Sequence, residues 1–262
     1  RPCLYPVLGP GGIPLSRCWP LEECPNEAQD HPHHRSLWYS HGDVNGVDFW
    51  SEGRNAGVTK HVKFTFLQSG PEVGVIRSHN QLLTQDGQRI ATEDLTLRVY
   101  NRREHRLLDF DVTLHASEGE VVMGDTKEGT MAIRLTETMR LKPNEFNRGK
   151  PTGHIVNSQG VRDGETWGKR AKWVDYYGPV QGQTMGVAIF DHPKNPRHPT
   201  WWHVRDYGLF AANPVGRHYF EKQPPGAGNL KFLEGESVTF RYRFYFHRGN
   251  EIDAEVEKHY LE

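Results

Sequence analysis

Cysteine and methionine are scarce in this chain, with three and four residues respectively among 262. Cys3, Cys18 and Cys24 all fall within the first 24 residues, and no Cys-x-x-Cys pair occurs, which argues against a thiolate zinc site. A single Cys3–Cys18 or Cys18–Cys24 disulfide is open in an oxidising compartment. No apolar run approaches the roughly 20 residues needed to span a bilayer. There is no block of like charge either: 32 Lys and Arg stand against 33 Asp and Glu, a net charge of −1. A nucleic-acid or anionic-membrane surface is therefore not expected. Gly-x-Ser-x-Gly, the phosphate-binding loop, Gly-x-Gly-x-x-Gly and His-Glu-x-x-His are all missing, so serine-hydrolase, nucleotide and zincin chemistry lose ground. No cofactor is expected, and the partner is expected to be a small molecule or oligosaccharide. The chain starts at Arg1 without Met, which leaves room for a removed signal peptide; a periplasmic or secreted location is the expectation.

Period-two alternation is abundant. In LLDFDVTLHAS, Leu108, Phe110, Val112 and Leu114 alternate with Asp109, Asp111, Thr113 and His115. In SVTFRYRFYFHRG, Val238, Phe240, Tyr242, Phe244 and Phe246 alternate with polar or amphipathic residues. Such runs are strands with one face in a core. Asp86-Gly87 in TQDGQ, the GPGG near residue 10 and the VQGQT near residue 181 read as hairpin turns. No strand–helix rhythm is present, and one convincing helix is expected, over NEIDAEVEKHYLE with Asn250 as its N-cap. The Pro- and Gly-rich stretches 142–154, 191–200 and 213–229 read as long loops. The expected fold is all-β: one domain over residues 1–262, a large antiparallel β-sandwich with long loops and a short C-terminal helix.

Fifteen histidines and seven tryptophans are the unusual content. DHPHHRSLWYSHGDVNG places His31, His33, His34, Arg35, His41, Asp43 and Asn45 within seventeen residues. His34 and His41 flank a short apolar segment, about 20 Å apart if it is extended, so they meet only through a turn. His34 and His41 are the acid/base candidates, with Asp43 tuning one of them. In HPTWWHVRDYG, adjacent Trp201 and Trp202 point to opposite faces, and His203 and Arg205 share the face of Trp201. An aromatic ring beside His and Arg suits a sugar, whose C–H groups stack while its hydroxyls or carboxylate are hydrogen-bonded. His203 is a third catalytic candidate. Arg35, Asn45, Glu128, Trp201, Trp202, Arg205 and Asp206 are the binding candidates. Asp125, Lys127 and Glu128 read equally as a solvated turn before a strand whose Met131, Ile133 and Leu135 face inward. Asp48, Trp50, Glu52, His154, Lys172, Trp173 and Asp175 carry weaker signals.

DHPHHRSLWYSHGDVNGVDFW, KEGTMAIRL, WVDYYGPV and NPRHPTWWHVRDYGLFAANP, in that order and spanning nearly the whole chain, resemble the bacterial PmoA-like domain family, whose function is unknown. The methane-oxygenase label attached to that family does not fit: the membrane methane monooxygenase subunit is a bundle of transmembrane helices, and this chain has none. The resemblance implies a large β-sandwich similar to the galactose-mutarotase supersandwich. Proteins of that shape commonly act on sugars with histidines and carboxylates. The expected function is a carbohydrate-active enzyme of epimerase, hydrolase or lyase type. The alternatives are a non-catalytic sugar-binding module and a metal-dependent enzyme with His33, His34, His41 or His203 as ligands.

Overall fold

The computed structural model describes residues 1–262. The strands in chain order are β1 (Leu37–His41), β2 (Val58–Gln68), β3 (Val73–Leu83), β4 (Arg89–Tyr100), β5 (Arg106–His115), β6 (Val121–Met123) and β7 (Gly129–Arg134). They continue with β8 (His154–Asn157), β9 (Trp173–Val180), β10 (Gln183–Asp191), β11 (Trp201–Val204), β12 (Leu209–Asn213), β13 (Leu230–Phe232) and β14 (Ser237–Arg248). Helices are short: α1 (Arg217–Glu221) and α2 (Val256–Leu261). None is long and apolar enough to cross a membrane.

An eight-stranded sheet runs β2-β3-β4-β5-β14-β10-β9-β8, and a four-stranded sheet runs β1-β7-β12-β11. Every pairing in both is antiparallel. This is the antiparallel sandwich expected from alternation, with one difference: the second sheet is half the width of the first. Leu97, Leu108, Phe110, Val112, Phe240 and Phe244 from the large sheet share one core with Leu37, Tyr39, Met131, Ile133, Trp202 and Phe210 from the small one. Tyr39 meets Phe240, and Tyr176 meets Phe210, across the interface. Full burial of each such side chain contributes roughly 1.5–3 kcal/mol before entropy is counted.

The turn chemistry holds. Gly87 joins β3 to β4 and Gly182 joins β9 to β10, both at positive φ, the conformation that such hairpin turns require. The C-terminal helix is shorter than its pattern suggests. Asn250 caps a turn through the backbone N–H groups of Ile252 and Asp253, and Glu255 then adopts a left-handed φ of 49°, so α2 begins only at Val256. A second helix, α1, lies inside the 213–229 loop.

The alternation also fixes what faces outward. On the small sheet, Trp38, Ala132, Leu209 and Ala211 point away from the main core and form a separate apolar cluster with Trp50. Register aligns Trp38, Ala132, Ala211 and His203 in one row across four strands. At ~4.8 Å per strand, this row is about 14 Å long.

Tight packing on the other sheet gives a clean test. A Cβ on Gly186 would lie 2.0 Å from His247 Cε1. We expect Gly186→Ala to destabilise the fold by roughly 1–3 kcal/mol, the usual cost of overpacking. Thermal unfolding should show a lowered midpoint, and the loss in the Gly186→Ala, His247→Ala double variant should be smaller than the sum of the two single losses; an unchanged midpoint in Gly186→Ala would refute the packing argument.

Candidate functional site

The His-rich loop reaches the outward face of the small sheet because Ser36 takes a left-handed φ of 55° just before β1. That bend folds residues 31–35 back over the strand instead of extending it. His34 is buried, and its ring stacks on His31 at 4.7 Å and on Trp38 at 5.6 Å. His31 in turn stacks on Tyr207 at 5.2 Å. Residues from positions 31–38 and 207, distant in sequence, thus form one cluster of stacked rings, with His31, His34 and Tyr207 near-parallel. His33 meets His34 edge-on at 4.5 Å, and Trp50 approaches His34 at 5.9 Å.

Arg134, at the end of β7, anchors this cluster. Its Nη2 donates to Asp30 Oδ1 at 2.7 Å, its Nη1 lies 3.0 Å from His34 Nδ1, and its guanidinium covers Tyr207 at 4.8 Å. Asp30 Oδ1 also accepts from Arg17 Nη1 at 2.7 Å. Arg1 ties two loops together, donating to the carbonyls of Phe49 and Trp50 and to that of His33. Its guanidinium sits 5.6 Å from the Trp38 ring.

The second tryptophan-rich stretch supplies the opposite side. His203 lies at the far end of the Trp38 row, against Trp167 and Phe220. Arg205 sits 5.6 Å from the Tyr207 ring, opposite no carboxylate. Tyr207 therefore joins the two motifs: His31 stacks on it while Arg134 and Arg205 both approach it. Glu128 is close enough for its charge to be felt at His33 and Tyr207, and it pairs with Lys127 at 3.1 Å.

Burial dominates the electrostatics. It pushes His203 down to about 3, helped by the charges of Arg205 and Lys127. His34 falls far below the usual histidine range through burial and the charge of Arg134. His33 is lowered by burial, then by His31 and Arg1, with Glu128 opposing. Asp30 is held well below the ordinary carboxylate range; burial works against this, and His31, Arg134 and Arg17 outweigh it.

The structure separates the remaining sequence candidates from this face. His41 has the same strand phase as Leu37 and Tyr39, so its ring turns to the core side of β1. There Nε2 meets the Gly124 carbonyl at 2.7 Å and the ring packs on Gly129. Asp43 accepts from the Gly46 N–H, and Asn45 bonds the backbone of Glu120 and Val122; both shape a turn. Trp202 is core, its indole N–H donated to the Ala171 carbonyl. Trp201 faces outward, but Arg170 covers it at 4.6 Å and Glu221 accepts its N–H. The charge of Asp206 is felt at Tyr176, on the core side of the small sheet. Arg35 pairs with Glu52 at 2.8 Å on the rim. Of the weaker candidates, Asp48 caps Trp50 and Ser51, Asp125 holds the 218–228 loop, and Asp175 pairs with His247.

Arg134, Trp38 and Tyr207 join the site without having been singled out as binding residues. The strand phase carried the signal for Arg134: if Met131 and Ile133 face inward, Ala132 and Arg134 face out. Metal ligation by the histidine cluster is not favoured by this geometry. The His31 and His34 rings are parallel to within 6°, and a cation occupies the Nδ1 of His34. The cysteines take the Cys18–Cys24 pairing, leaving Cys3 free.

A cavity of about 420 Å³ opens on the outer face of the large sheet, lined by Arg98, Asp109, Asp111, His192, Arg241 and Tyr260. Arg98 is already answered by Asp111 at 2.8 Å, and Arg243 beside it by Asp109 at 2.6 Å. The small-sheet face differs in offering polar groups that nothing in the protein answers: Trp38 Nε1, Trp50 Nε1 and His203 Nδ1 are buried without a partner.

Three neutral buried histidines set a pH dependence. The pKa values of His34, His41 (down to about 4, by burial) and His203 are all depressed in the folded state. Below about pH 6.5 the unfolded chain therefore binds protons that the folded chain refuses, and stability falls as pH falls. The raised pKa of His247, held by Asp175 against burial, works in the opposite sense for one group. Denaturant unfolding between about pH 6.5 and 4.5 should lose more than one proton's worth of stability per pH unit, above ~1.4 kcal/mol. His203→Gln should reduce that slope; a flat profile would contradict the burial of these rings.

No curated protein sequence matches the chain. Among solved structures it is similar to an Escherichia coli K12 protein provisionally assigned as an aldose 1-epimerase. That likeness has 11% identity and a TM-score of 0.37, and covers 91% of this chain and 94% of that one. A family model described as "Family of unknown function (DUF6807)" matches residues 1–261, including every residue of the small-sheet face, and the chain belongs to that family.

Proposed function

We propose that the outward face of the small sheet is the site of a carbohydrate-active enzyme that performs acid/base chemistry on a sugar or glycoside. One observation carries this reading: the stacked-ring cluster of Tyr207, His31, His34 and Trp38 lies beside unpartnered N–H donors and an unmatched guanidinium. Aromatic surface takes the C–H face of a pyranose, while fixed donors and cations take its oxygens. His33 and Glu128 are the proton-transfer groups, because both are half-buried on the accessible rim and the charge of Glu128 is felt at His33. His203, neutral at physiological pH, binds a hydroxyl. Arg205 holds a carboxylate or hydroxyls. The Cys18–Cys24 disulfide fits an exported protein.

Screening a panel of mono- and oligosaccharides in D2O by proton NMR tests the proposal, with exchange, epimerisation or bond cleavage as the readout. On the sugar that responds, Glu128→Gln and His33→Ala should each lower kcat by roughly 10²–10⁴-fold, the range for a general acid or base. Because the pKa of His33 is lowered, its base form persists through neutral pH. The rate should therefore stay level near pH 7 and fall only below about 6.5. Full turnover in both variants would overturn the assignment. Sugar binding without turnover, flat across that range, would indicate a binding module instead.

A further inference from the structure

Arginine is a hydrogen-bond donor and never an acceptor. The 3.0 Å contact between Arg134 Nη1 and His34 Nδ1 therefore fixes both the charge and the tautomer of the imidazole. Nδ1 accepts, the ring is neutral, and its hydrogen sits on Nε2. Neither partner can turn away. Arg134 is clamped by Asp30, which also holds Arg17. The His34 ring is sandwiched between His31 and Trp38. A buried histidine at a sugar site would ordinarily be read as a base. Here one lone pair is taken by a guanidinium and the other nitrogen carries hydrogen, so the group left to act is an N–H.

Two more N–H groups lie beside it. The Trp38 and Trp50 rings are 5.6 and 5.9 Å from His34 and 5.2 Å from each other. Both tryptophans are at most 1% exposed, and neither indole nitrogen has an acceptor in the protein. A buried donor left unanswered costs about 1–3 kcal/mol, so two in one cluster point to an acceptor that comes from outside. Behind them, Arg17 and Arg134 share the single carboxylate of Asp30, which leaves net positive charge. Arg1 adds another cation over Trp38.

We propose that His34, Trp38 and Trp50 form a donor-only nest for an oxyanion on the ligand, the carboxylate of a uronic-acid-type sugar. This rests on the carbohydrate reading above and narrows it. His34 binds as a neutral N–H donor and transfers no proton, while Arg134 is a positioning residue that holds the tautomer and supplies charge from behind.

The test uses the full chain, labelled with ¹⁵N. Long-range ¹⁵N–¹H spectra from about pH 5 to about pH 8, spanning the normal histidine range, should show His34 protonated at Nε2 throughout. Titration then compares D-galacturonate, D-galactose and acetate. Galacturonate should shift His34 Nε2–H and both indole N–H signals, and bind about tenfold tighter than galactose or more. Trp38→Phe and Trp50→Phe keep an aromatic ring and remove the donor. Each should weaken galacturonate binding by roughly five- to tenfold while changing galactose binding less; the smaller ring leaves a void at a fully buried position and lowers the thermal midpoint on its own account, so binding is compared well below each variant's midpoint. A His34 ring protonated at Nδ1, or titrating within that pH range, overturns the proposal. So does galactose shifting the same signals as strongly as galacturonate, which would leave the carbohydrate reading intact. Acetate shifting them while neither sugar does would keep the oxyanion nest and remove the carbohydrate reading. No shift with any of the three overturns the nest.

Discussion

The guanidinium of Arg134 is almost wholly buried, and the organisation of the site follows from how that charge is satisfied. A buried cation is costly unless it is paired and hydrogen-bonded. Asp30 supplies the charge, Tyr207 a ring face and His34 a lone pair. Asp30 and His34 come from the loop before β1 and Tyr207 from the turn between β11 and β12, so meeting the needs of one side chain on β7 brings these two segments together. Arg17, from the N-terminal segment, joins through the same carboxylate. The arrangement also lowers the pKa of His34, because burial and the cation that orders the cluster both oppose protonation of that ring. One electrostatic constraint therefore connects the stacking of the rings, their protonation states and the donor character of the face.

Much of this was legible in the sequence, and what was not has physical reasons. Strands and hairpins are local: alternation and positive-φ glycines announce them, and the β-sandwich follows. Glu128, His34, His203 and Arg205 lie in stretches whose composition suggested a site, and the fold brings all four to one face. His41 shows how composition misleads where phase decides. It lies two residues beyond Tyr39 and four beyond Leu37, both core residues, so period two already sends its ring inward. Arg134 was readable by the same argument. The bend at Ser36 and the sharing of Asp30 between Arg17 and Arg134 were not readable, because one depends on a non-glycine residue in the left-handed region and the other on non-local contacts. The late start of α2 has the same kind of cause: Glu255 leaves the helical region where the sequence periodicity gave no warning.

The protein contains a second buried histidine with a charged partner, and the contrast shows why the small-sheet face is the better functional candidate. His247 Nε2 lies 3.0 Å from Asp175 Oδ1, and both side chains are almost fully buried. A carboxylate accepts, so His247 carries hydrogen on Nε2 and its charged form is favoured despite burial. His34 faces a cation, and its charged form is excluded. The same residue type is thus driven to opposite protonation states by the sign of one neighbour. Yet His247 is closed in: Gly186 presses on its ring, and Tyr245 packs beside it with its hydroxyl on the Ala254 carbonyl below α2. Its donor is spent on Asp175, which ties β14 to β9 across the intervening β10. The donor on His34 has no such internal partner and sits among two further N–H groups that have none. The first pair is closed completely; the second keeps unanswered donors beside an accessible rim, and that difference is what the proposed ligand site rests on.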